Sequence, residues 1–288
     1  MQKTYLKTIL ILMSILVVAC GTPKRTGFGD DGVDAPGACT VPKPEICNDN
    51  IDNDCDGVAD CSDPDCSGVG TCPICGMAQH PLGSPLALPD GDGAGPPYTS
   101  PLHFDGFGPG QTFMQSSNIL SVCVNMEHSW IRDLQIELHG PDYATVPTHK
   151  AVLSLQLGNT GSEVFLGQAN DQDSANAPVP GVGADYCWTP TATNPPMRDY
   201  ANAAMPMLTV TDVSGTHDEL PPKTATTPVG VGEYKASSGF DTLIGAPLNG
   251  DWTIFVQDKW GIDNGFIFSW SINFDPTIVQ DCSGPIIQ

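Results

Sequence analysis

The chain has 288 residues, with 11 Lys and Arg against 33 Asp and Glu, a formal net charge of −22. That excess of acid excludes a nucleic-acid binder, which needs a basic face to displace counterions from phosphates. With 31 Gly, 27 Pro and only 15% charged residues, the balance suits a loop-rich all-β protein and neither a helical bundle nor an α/β enzyme. Eleven cysteines in so acidic a chain point to an oxidising compartment.

The N-terminus points the same way. Lys3 and Lys7 precede the apolar run Ile9-Leu10-Ile11-Leu12-Met13, which continues to Val17-Val18-Ala19-Cys20-Gly21. This run is shorter than the roughly 20 residues that span a bilayer, so it reads as an export signal. Leu16-Val17-Val18-Ala19-Cys20 resembles a bacterial lipobox. That resemblance implies a signal peptide over 1–19, acylation of Cys20, and a membrane partner through the lipid anchor. Gly21 in place of Asp implies the outer membrane or cell surface. Setting Cys20 aside leaves ten thiols, enough for five disulfides of unspecified connectivity.

Residues 20–38, rich in Gly, Pro, Asp and Thr, read as a tether. Residues 39–75 hold seven cysteines and most of the clustered acid. Residues 76–97 are Gly/Pro-rich and read as a linker, 98–276 as the β-domain, and 277–288 as a tail holding Cys282.

Between Glu45 and Cys66 lie seven aspartates and no Lys or Arg. A run of charge is ordinarily a solvated stretch, but here the spacing is that of a ligand set. Asp52, Asp54, Asp56, Asp60 and Asp63 fall at positions 1, 3, 5, 9 and 12 of a 12-residue loop. Gly57 sits where a sharp turn is needed, and Val58 where a backbone carbonyl ligates. That is the ligand order of an EF-hand-type loop, and oxygen ligands select a hard cation, Ca2+. No amphipathic helices flank it. Cys47, Cys55, Cys61 and Cys66 lie among the ligands, where disulfides would hold a module with almost no apolar core. The stretch resembles the thrombospondin type 3 calcium repeat. It resembles more closely the MopE-type metal-binding motif of bacterial surface proteins, through Glu45, Cys47, Asp49, Asp52, Asn53, Asp54, Cys55, Asp56, Gly57 and Asp60. Both resemblances imply metal binding and no reaction. Cys72-Pro73-Ile74-Cys75 looks like half a zinc knuckle, but no second CxxC exists, and in an exported protein disulfides are the commoner fate.

In the β-domain, Leu134, Ile136 and Leu138 alternate with polar residues, as do Trp252, Ile254 and Val256, and Trp270, Ile272 and Phe274. Further strands are expected at 119–124, 151–157 and 208–211. Period-two alternation with one apolar face is a half-buried antiparallel sheet, and many such strands between Gly/Pro turns predict a β-sandwich or jelly roll. On those faces Trp252, Trp270 and Phe274 read as core. Residues 121–274 resemble the P (Homo B) domain of subtilisin-like proprotein convertases. One signature is His128-x-x-x-x-Asp133-Leu134-x-Ile136-x-Leu138-x-x-Pro141; the other runs from Gly250-x-Trp252 through Asp258, Asp263 and Gly265 to Trp270-x-Ile272-x-Phe274. The resemblance implies a jelly-roll sandwich with galactose-binding-like topology. Residues 190–235 are longer than that pattern, an expected insertion, and Cys123 and Cys187 are extra. Asp133, Asp258 and Asp263 read either as turn residues or, with Asp171 and Asp173, as candidates for a second cation site.

Family P domains accompany proteases, but the roughly 100 residues before 121 are too few for a subtilisin domain. No Gly-x-Ser-x-Gly or HExxH motif occurs, and the six histidines are scattered. The expectation is therefore no intrinsic enzyme activity. The leading reading is a surface lipoprotein whose calcium segment displays a non-catalytic binding module for a protein or glycan. The alternatives are an accessory that supplies a P domain to a separate protease, and a structural component of the envelope.

Overall fold

The protein is described by a computed structural model over residues 42–72, 74–88, 96–156, 164–170, 178–203, 205–261, 263–280 and 282. The expected signal peptide, Cys20, Asp171 and Asp173 lie outside the described residues. No helix among the described residues is long and apolar enough to cross a membrane.

The architecture is all-β. The strands are β1 (Met77–Ala87), β2 (Tyr98–Phe104), β3 (Ile119–His128), β4 (Leu134–His139) and β5 (Lys150–Ser154). They continue as β6 (Ala184–Trp188), β7 (Leu208–Asp212), β8 (Gly215–Glu219), β9 (Glu233–Tyr234), β10 (Gly250–Asp258) and β11 (Gly265–Phe274). A five-stranded sheet has the order β1-β11-β3-β6-β9, a four-stranded sheet the order β2-β10-β4-β5, and β7-β8 form a hairpin. Among these strands the ladders are antiparallel except that of β6 with β9.

The two larger sheets share one apolar core, and the alternation of their strands is what builds it. On β10, Trp252, Ile254 and Val256 are fully buried; on β11, Trp270, Ile272 and Phe274 are too, as expected of these positions. The layers meet through large rings. Trp252 lies edge-on to Phe274 with centroids 5.2 Å apart, and Trp270 Nε1 donates to Ser100 Oγ on β2 at 3.0 Å. Each such ring removes a large apolar area from water, and truncating one to alanine costs about 3–5 kcal/mol.

Two segments are more structured than their composition suggested. Residues 76–97, expected as a linker, contain β1, which pairs with β11 from Met77↔Asn273 to Ala87↔Phe266. Proline has no N–H to give a ladder, and an edge strand tolerates that loss. β1 is such an edge, and its register slips between Pro81 and Leu86. The expected insertion, 190–235, holds the short helix α1 (Met197–Asn202), the β7-β8 hairpin and β9, which lies at the other edge of the same sheet. Cys123 and Cys187 sit opposite each other on β3 and β6 and form a disulfide.

The outer side of the four-stranded sheet carries a buried polar group that gives the fold a pH dependence. The Glu137 carboxylate accepts from His139 Nε2 at 2.8 Å, from Lys150 Nζ at 2.9 and 3.0 Å, and from Gln135 Nε2 at 2.9 Å. Burial alone would push Glu137 up, but these donors outweigh it and hold the group at about 2. A carboxylate depressed in the folded state adds stability that is present above its unfolded pKa and lost as pH falls through the folded one. Urea melts should therefore show Glu137→Gln losing less stability than the wild type between pH 5 and pH 2, by at most about 3 kcal/mol. Parallel losses in the two proteins would refute the assignment.

Candidate metal centre

Among its described residues the acidic segment has no strand and little apolar matter to organise it; Ile46 and Ile51 are exposed. Disulfides take the place of a core. Cys47 pairs with Cys66 and Cys61 with Cys72, closing loops of 19 and 11 residues, and Cys55 is disulfide-bonded as well. The two cysteines of the CxxC pair thus go to different bridges, Cys72 to Cys61 and Cys75 to Cys282, which leaves neither as a zinc thiolate.

Within this frame the carboxylates first satisfy the backbone. Asp52 accepts from the Cys55 and Gly57 amides at 2.7 and 3.1 Å, Asp54 from Asp56 at 3.2 Å, and Asp56 from Val58 at 3.0 Å. Gly57 has φ +106°, a left-handed conformation that the tight turn requires and a side chain would oppose. Asp60 spends its carboxylate on the Asp49 and Asn50 amides at 2.9 and 3.0 Å. Glu45 reaches across the segment, accepting from the Asp60 amide at 2.9 Å and the Asn53 amide at 2.8 Å.

Two groups of potential ligand atoms result, each with its atoms within 4.8 Å of one another: Glu45 with Asp54 and Asp63, and Asp52 with Asp54 and Asp56. Of the six positions read from the loop spacing, Asp52, Asp54, Asp56 and Asp63 enter one group or the other. Asp60 belongs to neither, because its oxygens clamp the 49–50 turn. Val58 contributes its amide to Asp56. Glu45 takes part although loop numbering from Asp52 passed over it. The signal was present: it is the sole glutamate of the stretch and heads the motif the stretch resembles.

Asp63 is the distinctive member. It is 1% exposed; its Oδ1 accepts from the Asp65 amide at 2.7 Å, while its Oδ2 is buried without a hydrogen-bond partner. Burial, and then the carboxylates of Asp56, Asp54 and Glu45, push it up to about 6 against the pull of the Asp65 amide. An unsatisfied buried carboxylate oxygen among other carboxylates is costly, and a bound dication reverses both contributions.

The aspartates considered for a second cation site sit elsewhere, where β3, β4 and β10 meet. Asp133 and Asp258 are buried beside Glu127 and His128. Asp258 accepts from the Trp260 amide at 3.0 Å and faces His128 Nε2 at 3.4 Å, while the Asp133 carbonyl accepts from the Lys259 amide. Burial, reinforced by Asp258 and Asp263 and opposed by His128, pushes Asp133 up to about 7. Burial would lower His128, yet Asp258, Glu127 and Asp133 together raise it. The cluster ties the turn after β10 to the neighbouring strands. Among the described residues, the ligand atoms that gather within 4.8 Å are the two groups of the acidic segment, and Asp133, Asp258 and Asp263 do not form such a group.

No protein-family model, no curated protein and no solved structure matches this chain.

Proposed function

We propose that this protein is a lipid-anchored surface protein in which a calcium-binding acidic segment presents a P-domain-like jelly-roll sandwich as a non-catalytic binding module. The observation that carries the calcium reading is Asp63, whose carboxylate gathers with those of Glu45 and Asp54 and whose Oδ2 is buried without a partner. An all-oxygen set suits a hard cation, and the bonded cysteines offer no thiolate to a softer one. The two shared-core sheets and the buried Trp252, Trp270 and Phe274 support the jelly-roll reading, and the lipobox-like Leu16–Cys20 stretch supports the anchor.

Calorimetric titration and melting of the full mature chain test the proposal. Calcium should bind with a Kd of about 0.1–1 mM, the range of extracellular modules. At about 10 mM calcium the fold should gain roughly 2 kcal/mol, reversed by a chelator. Absence of both heat and a chelator-sensitive melt would overturn the calcium reading. Mass analysis of the membrane-extracted protein should show an acylated Cys20, and an unmodified N-terminus would overturn the anchor.

A further inference from the structure

The outer face of the five-stranded sheet is unlike an ordinary solvated face. Its central strands carry short polar side chains at successive outward positions: Ser269, Ser271 and Asn273 on β11, and Ser121 and Asn125 on β3. The register aligns them in rungs, Asn273 with Ser121 and Ser269 with Asn125, while Ser271 faces Cys123 of the Cys123–Cys187 bridge. Side chains this short leave a trough of about 330 Å3, walled by Met77 on one side and the 223–225 loop on the other.

We propose that this trough binds the end of a neutral glycan, one or two sugar rings, the volume being at the small end of ligand pockets. The proposal rests on the reading of the sandwich as a binding module and identifies its ligand class. Hydroxyls and amides both donate and accept, as sugar hydroxyls do. The charges at the rim are already engaged: Asp185 accepts from Asn125 Nδ2 at 2.8 Å, and Lys223 pairs with Glu233. Neither an anion nor a cation is therefore favoured. Asn273 lines the trough, and its side-chain Oδ1 has no hydrogen-bond partner within the fold. Met77 and the disulfide offer apolar surface to the C–H face of a ring. A peptide fits less well. β11 and β3 are paired on both sides, so no strand can be added here, and the Trp270 indole N–H is committed inward to Ser100.

Saturation-transfer NMR and calorimetry on the full mature chain test this. The probes are the methyl glycosides of glucose, galactose, mannose and N-acetylglucosamine, together with lactose, maltose and chitobiose. At least one should bind, and Ser271→Leu, which fills the trough, should weaken it tenfold or more. Asn273→Ala serves as a second variant should Ser271→Leu fail to fold. Thr253→Leu, on the other sheet, should bind as the wild type does. Silence across the panel overturns the proposal, as does equal binding by Ser271→Leu and Thr253→Leu. A peptide that competes for the trough where no sugar binds overturns it in favour of a protein ligand. Calcium titration of the same samples separates failure here from failure of the calcium reading.

Discussion

Asp54→Ala should abolish calcium binding and at the same time stabilise the calcium-free protein. Asp54 belongs to both groups of ligand atoms, so its loss leaves only Glu45 with Asp63 and Asp52 with Asp56. Losing a shared carboxylate from so small a set should weaken affinity by about a hundredfold or more, near 3 kcal/mol. The opposite sign without calcium follows from Asp63, raised first by burial and then by repulsion from Asp56, Asp54 and Glu45; removing Asp54 relieves part of that repulsion and gives up a single 3.2 Å bond from the Asp56 amide, where Asp60 holds two amides of a distant turn. A carboxylate raised in the folded state favours folding at low pH, and this advantage is lost as pH rises through the folded pKa of about 6. Calcium compensates above that pH and competes with the proton below it, so its affinity should fall as pH drops past 6. Asp60→Ala provides the contrast. It should loosen the 49–50 turn and lower stability with and without calcium, because its carboxylate bonds backbone amides. Titrations and melts of the three proteins at pH 5 and pH 7.5 check this. Equal calcium affinities in wild type and Asp54→Ala would refute it.

Removing the Cys75–Cys282 bridge should be the most destabilising single covalent change, and it should uncouple the acidic segment from the sandwich. The bridge joins residues 207 apart in sequence. The chain-entropy relation puts roughly 5 kcal/mol on a loop of that length, an upper bound because unfolded chains retain some structure. Both cysteines are buried and belong to the apolar core. The Cys282 amide donates to the Ser62 carbonyl at 3.2 Å, the Gln280 amide to Gly106 at 2.9 Å, and Phe107 bridges to Val279. Gly76, beside the bridge, has φ +69°, and a Cβ there would meet Val279 at 3.0 Å. With Cys75→Ala and Cys282→Ala together, calorimetric melting should separate into two transitions, and calcium should raise only the one belonging to the acidic segment. A single transition within about 1 kcal/mol of the wild type would show that the tail contacts suffice alone.

The parts of the molecule legible in the sequence are those governed by neighbours along the chain. Trp252-x-Ile254-x-Val256 and Trp270-x-Ile272-x-Phe274 announce one-sided strands because strand side chains alternate at every step, whatever the partner. The turns in the acidic run were equally local: Asp52, Asp54 and Asp56 each cap an amide two to five residues away, so their spacing foretold their proximity. Composition foretold the all-β class in the same way.

Tertiary structure decided whatever depends on closure over distance. Spacing from Asp52 assigned Asp60 to the ligand shell, but the fold turns it toward Asp49 and Asn50 and brings Glu45 alongside Asp54 and Asp63. Prolines marked 76–97 as a linker, but the edge of the sheet needs a strand more than it needs Pro81's missing donor, so β1 forms there. Ten cysteines were compatible with many connectivities, and only the folded chain pairs Cys75 with Cys282 and sets Cys123 opposite Cys187. The trough likewise arises from four strands remote in sequence, each polar residue on it unremarkable where it stands. Local steric preference is written residue by residue, whereas ligand shells, disulfides and clefts are made by the apolar core as it draws distant segments together.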